Sequence, residues 1–108
     1  MDRLSGKIAL ITGSSSGIGR GVALGFAREG ADVVVNYPSS HERAAADAVV
    51  AEIESVGRRA ISVEADVAVA DDVERLVTTA EQTFGRIDIL VNNAGIAHTA
   101  PLEAIPID

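Results

Sequence analysis

The residues with the clearest chemical potential stand in one run, Thr12-Gly13-Ser14-Ser15-Ser16-Gly17-Ile18-Gly19. An apolar strand ending in glycines and hydroxyls and then entering a helix presents unblocked backbone N–H groups at a positive helix terminus. That geometry receives phosphate. Gly13 permits the tight turn, Gly17 lets a ligand approach the main chain, and Gly19 lets the helix pack closely. The spacing G-x-x-x-G-x-G departs from the usual G-x-G-x-x-G. A P-loop needs Lys after its second glycine and then Ser or Thr, whereas Gly17 is followed by Ile18 and Gly19, so that motif is rejected. A plain flexible Gly/Ser turn is the competing reading, and the strand before and helix after argue against it.

These residues must be held by elements, and the pattern supplies them. Short β-branched runs cover Ile8 to Ile11, Val33 to Val35, Ala60 to Val63 and Ile89 to Val91, opening near Lys7, Asp32, Arg59 and Ile87 at intervals of 25, 27 and 28 positions. Between them lie helical periodicities: Ile18, Val22, Phe26; Ala45, Ala48, Val49, Ile53, Val56; and Val73, Leu76, Val77, Ala80, Phe84. Gly30, Gly57 and Gly85 follow the three helices as left-handed stops, and Ser39 with Glu42 and Asp71 with Glu74 resemble capping boxes. Strand, helix, strand at this spacing requires parallel strands with right-handed crossovers. The chain reads βαβαβαβ, an α/β, Rossmann-like doubly wound parallel sheet of strand order 3-2-1-4. The first two helices should cover one face and the third the other.

Composition limits the rest. A chain of 108 residues holds one domain, and 47% hydrophobic against 23% charged residues marks a folded chain. A net charge of −7 disfavours DNA, RNA and anionic lipid, so any anion is held locally. Zero cysteines exclude disulfides and thiolate metal sites, and no metal set is expected. The first residues lack the apolar core of a signal peptide, and no apolar run approaches a membrane span, so a cytoplasmic location is expected.

The glycine run together with Asn92-Asn93-Ala94-Gly95 resembles the short-chain dehydrogenase/reductase family, with a match from about Gly6 to about Ile96. Val33-Val34-Val35-Asn36-Tyr37 is similar to its 3-oxoacyl-carrier-protein reductase and glucose dehydrogenase branches. The resemblance implies that Gly13, Ser14, Ser15, Ser16, Gly17, Ile18 and Gly19 line a dinucleotide's ribose and pyrophosphate. It implies that Asp66 accepts a hydrogen bond from the adenine amino group, with Val67 in backbone contact. It also implies that Asn93, Ala94 and Gly95 run beside the cofactor ribose, with Asn92 bonding backbone across strands. The competing readings are a strand-end cap for Asp66 and a mere turn for Asn-Asn-Ala-Gly.

Choice of cofactor is expected at the end of the second strand, where an acid would grip a ribose 2′-hydroxyl and repel a 2′-phosphate. The neutral Asn36, followed by Tyr37, Ser39, Ser40 and Arg43, favours NADP and leaves NAD use open, while Ser16 replaces the basic turn residue of many NADP-committed members. On sequence alone Arg43 reads as a solvated helix residue ahead of a ligand contact.

One family feature is absent. Hydride transfer there uses a Tyr with a Lys four positions on, and this chain's only tyrosine is Tyr37 and its only lysine Lys7. No catalytic residue is therefore assigned. Tyr37 reads as an adenosine-site neighbour or a surface residue, and His98 as a lone exposed histidine. The expectation is one partial dinucleotide-binding domain over residues 1–108, the amino-terminal half of an NADP-dependent reductase. The complete enzyme would act on a small carbonyl or alcohol substrate and form a homo-oligomer. A non-catalytic dinucleotide-binding module and a structural half-domain are the alternatives. The fourth strand should be an open apolar edge, which invites self-association.

Overall fold

The computed structural model describes residues 2–93. The elements run β1 (Ile8–Ile11), α1 (Gly17–Arg28), β2 (Asp32–Tyr37), a 3-10 turn at Ser40–Glu42, α2 (Arg43–Ser55), β3 (Ala60–Glu64), α3 (Ala70–Phe84) and β4 (Ile89–Val91). All pairings are parallel, and the sheet order is β3-β2-β1-β4. Every residue of β1 and β2 is buried, which is why neither strand shows polar alternation.

Two cores flank the sheet. On one face Ala9, Ile11, Val33 and Val35 pack with Ala23, Leu24 and Ala27 of α1 and Ala46, Val49 and Ile53 of α2. On the other, Leu10, Val34 and Val63 pack with Leu76 and Ala80 of α3. The expected division of helices between faces is the one observed.

Two details differ from the periodicity. The core side of α1 is Gly19, Ala23, Leu24 and Ala27, while Ile18 is 66% exposed and Val22 and Phe26 only flank the core. Small side chains let this helix lie close to the strands, so the bulkier stripe is displaced to its side. The Asp71–Glu74 capping box is not formed: α3 begins at Ala70 with Val69 at its cap, and Asp71 and Asp72 sit in the first turn, where the helix dipole favours them. At the other predicted cap, the Ser39 hydroxyl bonds the Glu42 carboxylate at 2.7 Å and caps no backbone N–H.

Gly30, Gly57 and Gly85 take φ of 102°, 87° and 91°, the left-handed stops that the sequence predicts.

Candidate functional site

The site lies at the carboxyl end of the sheet, where β1 turns into α1. Gly13 and Gly17 both adopt φ of 60°, a conformation a side chain would strain. A Cβ at Gly17 would meet nothing within 4 Å, so the main chain there is bare to solvent. A Cβ at Gly19 would collide with the Gly13 carbonyl and stand 2.9 Å from Ser14 Cα, so this glycine lets the helix seat against the turn itself. Ser16 caps α1 with no side-chain hydrogen bond and remains exposed. The backbone N–H groups of Ser15, Ser16, Gly17, Ile18 and Gly19 have no acceptor among the described residues. Ser15 is only 5% exposed, and its hydroxyl takes no partner among those residues. A cluster of unspent donors at a helix start can hold an anion without any cationic side chain. Arg20, one turn on, is already paired with Glu52 of α2.

Behind this turn, Ser14 and Asn36 lock β1 to β2. Ser14 N–H donates to the Asn36 carbonyl at 2.9 Å, and Asn36 N–H donates to Ser14 Oγ at 3.1 Å. The Ser14 hydroxyl donates to the Ile11 carbonyl at 2.7 Å, and Ser14 is fully buried. Asn36 Oδ1 accepts from Gly13 N–H at 3.0 Å, while its Nδ2 donates to the carbonyls of Val63 and Ala65 at 3.2 and 3.1 Å. These bonds show how two of the expected site residues are held. The side chain of Ser14 is committed to strand backbone. Asn36 is 1% exposed with its amide saturated inside the protein. Tyr37 is 3% exposed within the core under α1 and α2, which corrects the surface reading.

At the end of β3, Asp66 Oδ1 accepts from Ala68 N–H at 2.9 Å, an Asx turn, and Asp66 N–H donates to Asp72 Oδ2 at 2.9 Å. Asp66 is exposed and Val67 partly buried, so the carboxylate keeps its second oxygen toward solvent. Arg43 is exposed and makes no ion pair among the described residues.

The two asparagines after β4 are held differently. Asn93 Nδ2 donates to the Gly13 carbonyl and its N–H to Thr12 Oγ1, both at 2.9 Å, so Asn93 is the residue that ties β4 to the turn. Asn92 is exposed, and its Oδ1 accepts from the Thr12 hydroxyl at 3.3 Å. Ala94, Gly95 and His98 lie outside the described residues. The site residues overlooked as a unit are Asn36 and Ser14 acting as a lock. The available signal was a polar Asn inside a fully apolar parallel strand, which must be hydrogen-bonded.

A sequence model of the short chain dehydrogenase family matches residues 7–108. The chain is 54% identical over 96 residues to a 3-oxoacyl-[acyl-carrier-protein] reductase of Synechocystis, covering 89% of this chain and 38% of that protein. It is 45% identical over 108 residues to an L-rhamnose 1-dehydrogenase (NAD(P)(+)) of Sphingomonas, covering 100% of this chain and 42% of that one. A crystal structure of a short chain dehydrogenase from Burkholderia cenocepacia in complex with NADP superposes with a TM-score of 0.83 at 47% identity, over 96% of this chain and 42% of that chain. The chain thus spans about two fifths of the length of the curated relatives it matches.

Proposed function

This chain belongs to the short chain dehydrogenase family, and from that premise we propose that it is the dinucleotide-binding half of an NADP-dependent oxidoreductase acting between carbonyl and alcohol. The observation that carries the reading is the row of unclaimed N–H groups from Ser15 to Gly19 beside the open main chain of Gly17. These groups fit a diphosphate: donors at a helix start, no side chain in the way, and no carboxylate in the turn. When bound, NADP(H) supplies the hydride.

The chain's own residues bind and orient. The N–H groups of Ser15, Ser16, Gly17, Ile18 and Gly19 hold the diphosphate, with the Ser15 and Ser16 hydroxyls beside them. Asp66 accepts from the adenine amino group, and Val67 flanks it. Asn93 holds the turn's shape, with Ala94 and Gly95 along the ribose. A 2′-phosphate is favoured because no acid follows Asn36 before Glu42, and Arg43 offers a charge with no ion pair among the described residues; NAD is the second cofactor. The chain performs no hydride transfer by itself. Tyr37 is packed in the core at the carboxyl end of β2, whereas Lys7 precedes β1 at the opposite end of the sheet. The complete protein acts in the cytoplasm as a homo-oligomer on a small carbonyl or alcohol. Among the described residues no helix is long and apolar enough to cross a membrane.

The test is an NADPH fluorescence titration of the chain and of Gly17→Val. Saturable binding is expected in the first and a loss of about 100-fold in the second, from left-handed strain plus a filled ligand space. No binding by the unaltered chain at millimolar NADPH overturns the reading.

A further inference from the structure

We propose that Asn36, although it faces no ligand, is a positioning residue that sets the distance between the phosphate turn after β1 and the adenine-side loop after β3. This inference rests on the dinucleotide reading above. Strand β2 is the only strand paired with both β1 and β3. Its pairing with β1 ends at Ile11↔Val35, whereas its pairing with β3 continues to Tyr37↔Glu64. Beyond Val35 no ladder bond holds the β1 side, and the Asn36 side chain and its exchange with Ser14 take that place. One amide then reaches both loops, through Gly13 N–H on one side and the Ala65 carbonyl, immediately before Asp66, on the other.

The residue type follows from that task. The position needs an acceptor for Gly13 N–H and donors for two carbonyls within one short, fully buried side chain. Leucine would orphan all three groups, and aspartate would set a carboxylate against the carbonyls of Val63 and Ala65. A dinucleotide spans both loops, but a bare diphosphate meets only one, so a spacing error costs the first ligand and spares the second.

Asn36→Ala and Asn36→Asp are titrated with NADPH by fluorescence and with inorganic pyrophosphate by phosphorus NMR, with a thermal melt for each protein. Both variants are expected to lose NADPH affinity by about tenfold or more, the loss of one to two buried hydrogen bonds. Pyrophosphate affinity should stay within about twofold, since the turn's own donors are untouched. Equal losses for both ligands, or unchanged NADPH affinity in Asn36→Ala, overturn the spacing role and leave the functional reading standing. Failure of the unaltered chain to bind NADPH takes down both. If neither variant folds, the Asn36 side-chain NH2 resonances of the unaltered chain decide. They should shift with pyrophosphate alone and with adenosine 2′,5′-bisphosphate alone, and a response to only one of them overturns the proposal.

Discussion

The two ends of the sheet handle polar groups in opposite ways. At the amino end, donors and acceptors are matched and charged. Asp32, 3% exposed, receives Arg58 Nη2 at 2.9 Å, Arg59 Nη2 at 2.7 Å and Arg59 N–H at 3.0 Å. Arg59 also lies 5.0 Å from the centroid of the Phe84 ring. Asp88 accepts Ile8 N–H at 2.8 Å and pairs with Arg86 at 2.9 Å. At the carboxyl end, the turn carries no charge, and five successive N–H groups have no acceptor among the described residues. The first end is closed by its own residues, and the second leaves its donors unmatched among the described residues.

The comparison breaks most sharply at Gly19. Gly19→Ala forces a Cβ onto the Gly13 carbonyl and to 2.5 Å from Asn93 Nδ2. It should lower stability by about 1 to 3 kcal/mol and NADPH affinity by about tenfold or more, read by melting and titration. At the other end, Asp32→Asn should cost about 2 kcal/mol, because one oxygen that accepts from guanidinium becomes a donor. Its NADPH affinity should equal that of the unaltered chain, and a parallel loss of affinity would mean the two ends are not independent.

Acid gives a gentler test. Burial alone would raise the pKa of Asp32, but the Arg59 N–H and both guanidinium groups outweigh it, and the pKa is lowered. Asp88 is lowered by the Ile8 N–H and then by Arg86. Groups with depressed folded pKa values contribute stability above the ordinary aspartate range, and that contribution is lost as pH falls through the folded values. Melting temperature should therefore drop in acid below that range, and Asp32→Asn should flatten the drop. The smallest effect belongs to Arg43→Ala. An exposed, solvent-screened charge should change NADPH affinity by about threefold or less, with NADH unaffected and the difference vanishing at high salt.

Much of this was legible because local signals coincide with the global repeat. The apolar runs, the three glycine stops and the crossover length each point to the same four-stranded order, and burial on both faces explains the missing alternation. The core face of α1 was legible only at Gly19, since Ala23 and Ala27 carry little hydrophobic weight and matter through how close they allow the helix to come. The division between Asn92 and Asn93 was not legible, because a single step of the chain decides which amide turns inward. The role of Asn36 depends on partners 23 and 29 positions away in sequence, which no local pattern encodes.

The bonds from Asn93 to Thr12 and Gly13 span 81 and 80 positions, far more than the 23 between Gly13 and Asn36. Closing so long a loop is entropically the slowest step to reward, so a chain emerging from its amino terminus assembles three strands before this seam can shut. Until residue 93 arrives, the turn after β1 lacks the bonds to Thr12 and Gly13 that fix it from the β4 side.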